Sequence, residues 1–353
     1  MWSRWWSASD VTSEFGGRFI LTGVTALSLL FFILFVKTRG KGKSPSPPGP
    51  TGLPFVGYLP FLGSDLRYTF KDLANIYGPI FKVRLGTKDG IVITSASLAK
   101  EVLRDKDVIF SNRDPTVAAK TALTKLDDPA TSLTLAQVKG ILTDAIIGGV
   151  DTTATTVEWA MTELLRHPEI LKNAQEELTA KIGLDNTVEE GHVGELKYLN
   201  AIVKETLRMH PPVPFFVPHC PDRDTTIGGY NIRKNSQIYI NTWAIHRDPQ
   251  FWEAPLEFRP ERFSNDCEKL DFFGKQFHYL PFGSGRRMCT GISLAEKTSM
   301  FVLASLLHSF EWKLPNDAND VDLSETFGIV VKKSKPLMAV PSPRFSNLEL
   351  YSM

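Results

Sequence analysis

Cysteine, net charge and long apolar runs are all scarce in this sequence. Its 353 residues contain three cysteines, Cys220, Cys267 and Cys289, which are too few for a disulfide framework and leave at least one thiol without an intrachain partner. The 40 basic and 39 acidic residues give a formal net charge of +1, so the charge balance does not indicate a nucleic-acid partner. A cytosol-facing compartment with a functional thiolate therefore fits better than a secreted, disulfide-bonded scaffold.

One long apolar run stands near the N-terminus. Phe19 to Val36 reads FILTGVTALSLLFFILFV, and as a helix it would span about 27 Å, close to the thickness of the hydrocarbon core of a bilayer. Basic residues follow at once, which predicts that the body of the chain faces the cytosol. A cleaved signal peptide is the alternative. It is disfavoured because the run is long and no small-residue cleavage site precedes the basic residues.

These features predict four segments along the chain. Residues 1–18 are expected to be lumenal, residues 19–36 to form a single transmembrane anchor, and residues 37–54 to form a basic stop-transfer stretch followed by a proline-rich hinge. Residues 55–353 are expected to form the globular domain. The hinge holds five prolines between Pro45 and Pro54, and consecutive prolines favour a stiff, extended geometry.

Hydrophobic periodicity predicts a mainly helical domain with small β-sheets. The predicted helices are Leu66 to Tyr77, Leu98 to Arg104, Thr134 to Arg166, Pro168 to Lys181, Lys197 to Met209 and Ile292 to Phe310. The predicted strands are Ile80 to Leu85, Gly90 to Thr94, Val213 to Val217 and Gln237 to Ile240, and the tail from Asp322 to Val340 is expected to form hairpins.

The most informative stretch is a glycine-rich loop around Cys289. It reads Pro-Phe-Gly-Ser-Gly-Arg-Arg-Met-Cys-Thr-Gly from Pro281 to Gly291, directly before a predicted helix. Glycine tolerates positive φ at little cost, so Gly283 and Gly285 suit a tight turn. A helix N-terminus aimed at the sulfur favours the thiolate form. A lone cysteine is more often a buried residue in a turn, and only the spacing of the whole motif argues otherwise.

The longest predicted helix contains a polar notch, Gly148-Gly149-Val150-Asp151-Thr152-Thr153. Each glycine weakens a helix by roughly 1 kcal/mol. The Thr152 hydroxyl can bond back to the carbonyl of residue 148 and open the helical ladder. Taken alone, the segment is explained equally well as a poorly formed or partly exposed helix.

Glu205 and Arg208 lie three residues apart on one face of a predicted helix. As a lone pair they would be an ordinary surface salt bridge worth under ~1 kcal/mol. A second arginine, Arg262, follows downstream in the stretch Pro260-Glu261-Arg262-Phe263.

The pattern F-x-x-G-x-R-x-C-x-G, from Phe282 to Gly291, resembles the haem-binding loop of the cytochrome P-450 monooxygenases, whose haem iron is held by a cysteine thiolate. The order of the other motifs is similar to that family throughout. The resemblance implies the family's mainly helical fold and haem b, with Cys289 as the axial metal ligand. It implies further haem contacts from Arg287, Phe282, Gly291, His219 and Gly149. A plain hydrogen-bonded role for His219 stays open beside the contact with a haem propionate.

The resemblance also gives roles to the notch and to the charged residues. Asp151 and Thr152 would be the catalytic pair that holds water and relays protons for oxygen activation. Glu205, Arg208 and Arg262 would form a buried structural triad that locks the core beneath the Cys289 loop.

The family further implies partners, a location and a substrate class. Electrons would come from NADPH through a membrane-bound cytochrome P-450 reductase, with the chain anchored in the lipid of the endoplasmic reticulum membrane. The hinge and loop look most similar to plant microsomal members, which hydroxylate small apolar or phenolic metabolites with O2. A haem-thiolate isomerase or dehydratase and a catalytically inactive, truncated haem-binding or apo membrane protein are the alternatives.

The sequence departs from the family between the first small sheet and the notch. Only Thr116 to Leu133 bridges a region where the family has several helices, including one with a W-x-x-x-R motif that binds a haem propionate. A W-x-x-x-R match at Trp243 to Arg247 lies far downstream and is interpreted as coincidence. The short bridge predicts that the long helix exposes an apolar face to water.

Overall fold

The chain divides into two units, Met1–Pro45 and Ser46–Met353. The structure is a computed structural model that describes residues 22–25, 27–29, 45–113, 135–264, 270–315 and 321–351. In the first unit, residues 22–25 and 27–29 are helical. The predicted lumenal segment, most of the predicted anchor and the basic stretch lie outside the described residues. Within the described part of the chain, no helix is both long and apolar enough to cross a membrane.

The second unit is mainly helical, as predicted. Its helices are α1 (Leu66–Tyr77), α2 (Ala96–Lys100), α3 (Asp107–Phe110), α4 (Leu135–Arg166), α5 (Pro168–Ile182), α6 (Lys197–Met209), α7 (Thr242–Ile245) and α8 (Ile292–Ser309). Its strands are β1 (Ile80–Leu85), β2 (Lys88–Ile93), β3 (Thr225–Ile227), β4 (Tyr230–Ile232), β5 (Gln237–Ile240), β6 (Phe310–Lys313), β7 (Glu325–Thr326), β8 (Lys332–Lys333) and β9 (Val340–Pro343).

A three-stranded sheet in the order β1-β2-β5 forms the centre of a small β lobe. Strands β1 and β2 pair as an antiparallel hairpin with Ile80 opposite Ile93, and β5 adds to β2 in parallel. The proline-rich stretch lies along this sheet, because the amide of Lys82 donates to the carbonyl of Pro48 at 2.7 Å. A Cβ on Gly49 would lie 1.9 Å from the Lys82 carbonyl oxygen, so this approach requires glycine.

The helical core is built from the C-terminal half of α4 together with α5, α6 and α8. Local signals fix the helix ends. Pro168 starts α5 and Gly183, at φ +80°, follows its last residue. Helix α6 lacks a local cap, and the carboxylate of Glu177 on α5 accepts the amides of Tyr198 and Leu199 at 2.8 and 3.0 Å instead. The cap therefore also fixes α6 against α5.

Helix α4 divides into a buried and an exposed half. In the C-terminal half, Trp159 and Leu164 are at most 1% exposed. In the N-terminal half, a stripe of apolar side chains is between 36% and 70% exposed: Leu135, Val138, Leu142, Ile146 and Val150. The predicted exposure of an apolar face is thus confirmed. This stripe carries a solvation cost unless another surface covers it.

One predicted strand is wrong. Residues 213–217 form turns and bends rather than a strand, and Phe216 has a φ of +53°. Prolines at 212, 214 and 218 supply no amide hydrogen for a ladder, so this apolar run cannot pair as a strand. The turn sends Phe215 into the core of the β lobe beside Phe70, and it places the ring of Phe216 next to Gly283 in the Cys289 loop.

Candidate haem-binding site

The Cys289 loop presents an exposed sulfur to which a backbone amide points. The amide of Gly291 donates to Cys289 Sγ at 3.4 Å, and the amide of Cys289 donates to the carbonyl of Phe282 at 3.0 Å. Helix α8 starts at Ile292, directly behind this turn. The thiolate is the form of a cysteine that binds a metal, and this loop leaves the residue accessible to one.

Phe282 anchors the loop to the helical core. Its ring packs edge-on against Phe272, with the ring centroids 5.7 Å apart and the planes at 81°. A Cβ on Gly291 would lie 3.8 Å from the sulfur, which is an ordinary contact. Because glycine has no Cβ, the side of Cys289 that faces Gly291 stays open.

Two glycines give the loop its shape. Gly283 and Gly285 have φ of +75° and +68°, so the positive φ predicted for both is confirmed. A Cβ on Gly285 would lie 1.9 Å from the carbonyl oxygen of Leu103. Gly285 therefore allows the loop to pack directly against the backbone that follows α2.

Replacing Gly285 with alanine is expected to lower the free energy of unfolding by about 1–3 kcal/mol, since both the backbone conformation and the contact with Leu103 become strained. Urea unfolding followed by circular dichroism measures the change. Gly191→Ala is the matched control, because a Cβ there meets nothing within 4 Å. Equal stability of the two variants would show that the loop relaxes without cost.

Three cationic or potentially cationic side chains meet beside the loop: Arg113, His219 and Arg287. Arg113 donates to the carbonyls of Val217 and Pro218, Arg287 donates to the carbonyl of Ser111, and His219 Nδ1 lies 3.0 Å from the carbonyl of Phe110. These contacts bring the segment before residue 113, the turn after residue 217 and the Cys289 loop together.

Within the described residues, the cluster carries positive charge without an acidic ion-pair partner. Burial and the charge of Arg287 lower the pKa of Arg113. Burial, together with Arg113 and Arg287, lowers the pKa of His219 to about 4. Among the ion pairs of the described residues, none includes Arg113 or Arg287. A ligand with carboxylates would supply the missing charge, and haem carries two, so the residues present fit this group.

Arg113 is a site residue that the sequence interpretation missed. In the sequence, Arg113 stands in the polar stretch Ser111-Asn112-Arg113-Asp114-Pro115, which indicates only a loop. An arginine in a short polar stretch gives no local sign that it will meet His219 and Arg287, which lie more than a hundred positions away.

The notch in α4 has the predicted hydrogen bond. Thr152 Oγ1 donates to the carbonyl of Gly148 at 2.6 Å. A Cβ on Gly148 or Gly149 would meet nothing within 4 Å among the described residues. The Asp151 carboxylate lies on the same turn and pairs with Lys332 Nζ at 2.9 Å. A hydroxyl and a carboxylate thus stand beside open space.

The described contacts bring the predicted site residues into three groups. Cys289, Phe282 and Gly291 meet in the loop, and Arg287 and His219 meet in the cationic cluster. Gly149, Asp151 and Thr152 share one stretch of α4, and α4 packs against α8, the helix that follows Cys289.

Glu205, Arg208 and Arg262 form a buried charged cluster. Arg208 binds Glu205 through two hydrogen bonds of 2.6 and 2.8 Å, and Arg262 Nε reaches Glu205 Oε1 at 3.3 Å. The side chains of Glu205 and Arg208 are 0% exposed. The amide of Arg259 also donates to Glu205 at 2.8 Å. These side chains therefore join α6 to the segment around residue 260.

His246 connects this cluster to the Cys289 loop, and the sequence interpretation missed it as well. Arg208 donates to the His246 carbonyl at 2.9 Å, while His246 Nε2 accepts the amide of Leu280 at 2.8 Å, one residue before the loop begins. An acceptor nitrogen must be unprotonated, so the imidazole is neutral. Burial and the charges of Arg208 and Arg247 lower the pKa of His246 to about 3.

The lowered pKa of His246 predicts acid sensitivity. Because the folded chain disfavours the protonated ring, its contribution to stability is complete above pH about 6.5 and is lost as the pH falls toward about 3. The full loss is on the order of 5 kcal/mol. Urea unfolding between pH 7 and pH 4 should show a shallower pH dependence for His246→Gln than for the unmodified chain. Identical slopes would contradict this assignment.

Trp243 and Arg247 make a local contact. Arg247 stacks 4.5 Å from the Trp243 ring and donates to the Trp243 carbonyl at 3.2 Å. The tryptophan and the arginine of this W-x-x-x-R match therefore contact each other.

Comparison with known proteins agrees with this architecture. The family profile described as Cytochrome P-450 matches residues 47–127 and 119–340 in two stretches. A zebrafish cytochrome P-450 structure with abiraterone superposes with a TM-score of 0.69, covering 80% of this chain and 100% of that one at 21% identity, which shows the fold alone.

Curated plant proteins are similar in sequence. Cytochrome P-450 76C2 of Arabidopsis thaliana is 38% identical over 339 residues, covering 91% of this chain and 63% of that protein. A flavonoid 3',5'-hydroxylase of Crocosmia x crocosmiiflora is 44% identical over 63% of this chain and 43% of its own length. Geraniol 8-hydroxylase of Catharanthus roseus is 46% identical over 56% and 40%. The chain thus spans about two fifths to three fifths of the length of these relatives. The chain belongs to the cytochrome P-450 family of haem monooxygenases.

Proposed function

We propose that this chain binds haem b through the Cys289 thiolate and acts as a monooxygenase. The observation that carries the proposal is the exposed Cys289 beside the cluster of Arg113, His219 and Arg287, whose arginines have no acidic partner among the described residues. A soft thiolate ligand next to a cationic cradle suits an iron porphyrin with two carboxylates. Gly291, Phe282 and Gly149 would flank this cofactor.

When bound, the haem supplies the oxygen chemistry, in which one atom of O2 enters a C–H bond of the substrate and the other leaves as water. The chain's own residues hold the reactants in position and deliver protons. Asp151 and Thr152 hold water at the notch and pass protons from it. Glu205, Arg208 and Arg262 hold the core beneath the loop without contacting the substrate.

The proposed substrate is a small apolar or phenolic plant metabolite. The support is the similarity to hydroxylases named for a flavonoid and for geraniol. Apolar side chains available to such a molecule are Val217, which is 59% exposed in the turn beside the cationic cluster, and Ile329, which is 84% exposed between β7 and β8.

The proposed electron donor is NADPH, acting through a cytochrome P-450 reductase. The proposed location is the endoplasmic reticulum membrane, with residues 1–18 lumenal, residues 19–36 in the bilayer and residues 37–54 as basic stretch and hinge. Residues 55–353 would form the cytosolic, shortened haem-thiolate domain. These proposals rest on the apolar run, the basic residues after it and the plant relatives.

A second candidate function is a catalytically inactive membrane protein. The exposed apolar stripe of α4 favours it, because that face has no partner among the described residues.

A haem-thiolate isomerase or dehydratase would need neither O2 nor a reductase. The presence of both Asp151 and Thr152 argues for oxygen chemistry instead.

Turnover under labelled oxygen separates these functions. Membranes holding the full chain and a plant reductase are incubated with NADPH and geraniol under 18O2, and products are read by mass spectrometry. A monooxygenase incorporates one 18O atom per product, and the same membranes without NADPH give none. Unlabelled product formed without NADPH would support the isomerase or dehydratase. No product from geraniol or from a flavonoid probe would support the inactive form.

A further inference from the structure

The ion pair between Asp151 and Lys332 links the notch of α4 to the β7–β8 hairpin. Asp151 Oδ2 and Lys332 Nζ are 2.9 Å apart, and the two side chains are 50% and 47% exposed. Pairs on a surface usually contribute little, because water competes and two long side chains must be ordered. This pair differs because the backbone that carries Lys332 is held in place by other contacts.

Strand β7 is fixed by a buried charge network. Glu325 Oε2 lies 2.5 Å from Arg67 on α1, and Glu325 Oε1 lies 3.5 Å from His210 Nδ1. The other nitrogen of His210 is 2.7 Å from Glu163 on α4, and the ring stacks on Trp159 at 3.9 Å. The hairpin is thus joined to α1, to the end of α6 and to α4.

Strand β8 and the residues around it are fixed as well. Lys333 packs 4.7 Å over the ring of Trp159, and the amide of Val331 donates to the carbonyl of Pro212 at 2.8 Å. Farther on, the amide of Leu337 donates to Glu158 on α4 at 2.9 Å. Since these contacts order the backbone on both sides of Lys332, less entropy is lost when its side chain pairs with Asp151.

We propose that Lys332 is a positioning residue for Asp151. It holds the carboxylate on the notch, next to a threonine whose hydroxyl is already committed to the Gly148 carbonyl. Asp151 then has a fixed place from which to pass a proton, rather than a set of solvent-exposed rotamers. The role in proton delivery rests on the proposed function, while the positioning itself does not.

The positioning is tested on the full chain without any substrate. Carbodiimide labelling of Asp151, quantified by mass spectrometry, should rise roughly two- to five-fold in Lys332→Ala and return to the original level in Lys332→Arg, in keeping with the strength of such a pair. Lys335→Ala is the matched control, because Lys335 pairs with Asp322 at 2.9 Å instead of with α4. Hydrogen exchange across residues 321–337 should stay unchanged, since the other anchors remain.

The contribution to proton delivery is tested on the haem-loaded chain with reductase, NADPH and geraniol. Lys332→Ala should release roughly two- to five-fold more hydrogen peroxide per NADPH than the unmodified chain or Lys335→Ala. Unchanged labelling of Asp151 in Lys332→Ala, or a rise matched by faster hairpin exchange, would overturn the inference. If the proposed function is wrong, the unmodified chain shows no haem-thiolate spectrum. The labelling result would still decide whether Lys332 positions Asp151.

Discussion

Replacement of Cys289 by alanine is expected to abolish the red-shifted Soret band that reduced, thiolate-ligated haem gives with carbon monoxide. The sulfur is the exposed group at the centre of the loop, and the Gly291 amide points at it. Alanine offers no ligand atom, so the loss should be complete rather than partial. The measurement is a reduced carbon monoxide difference spectrum of the purified variant.

Cys220→Ala is the matched control for this change. Cys220 is 1% exposed, and its amide bonds to the carbonyl of Asn112, so its sulfur lies in the packed β lobe. This variant should keep the shifted band. A band that survives Cys289→Ala, or one that is lost in Cys220→Ala while the fold is retained, would contradict Cys289 as the ligand.

Replacement of Glu205 by glutamine is expected to lower the free energy of unfolding by about 3–5 kcal/mol, enough to prevent accumulation of folded protein. Glu205 is the carboxylate shared by Arg208 and Arg262 and by the amide of Arg259. Without its charge, the fully buried Arg208 loses this counterion and keeps neutral partners such as three backbone carbonyls and the ring of Trp252. A buried guanidinium without a counterion is far more costly than a broken surface pair.

Urea unfolding, or the soluble yield where the variant does not fold, measures this loss. Glu253→Gln makes the same chemical change at a carboxylate that is 87% exposed and lies 3.9 Å from Arg259. That control should change stability by less than about 0.5 kcal/mol. A comparably small effect for Glu205→Gln would show that the cluster is not needed for the fold.

Elements whose ends are set by neighbouring residues could be predicted from the sequence. Helix α1 and strand β1 have the predicted bounds. Asp65 caps α1 by accepting the amide of Arg67, and Gly78 ends the helix at φ +92°. Signals of this kind lie within a few residues of the element, so no tertiary information is needed.

The Val213 to Val217 segment shows where the sequence pattern misleads. Its apolar side chains suggest a strand, but Phe215 is buried beside Phe70 while Phe216 is half-buried against a different cluster, beside Gly283. The course of that turn depends on two cores that the local sequence does not describe. The spacing of the prolines is the local feature that argues against a strand here.

The site could be predicted only as far as motifs extend. The positive φ of Gly285 and the Thr152–Gly148 hydrogen bond follow from local chemistry, whereas the ligand role of Cys289 rests on the resemblance of its motif and stays a prediction. The roles of Arg113, His246 and Lys332 depend on partners distant in sequence, on Arg287, Leu280 and Asp151 respectively. A single arginine, histidine or lysine carries no sign of such a partner, so the fold was needed to identify them.

The most direct test of haem binding by this chain is the reduced carbon monoxide difference spectrum of the full 353-residue protein, purified from membranes with haem supplied during expression. Thiolate ligation by Cys289 predicts a red-shifted Soret band in the unmodified chain and none in Cys289→Ala. A folded protein without this band would contradict the central claim that the chain holds haem through Cys289.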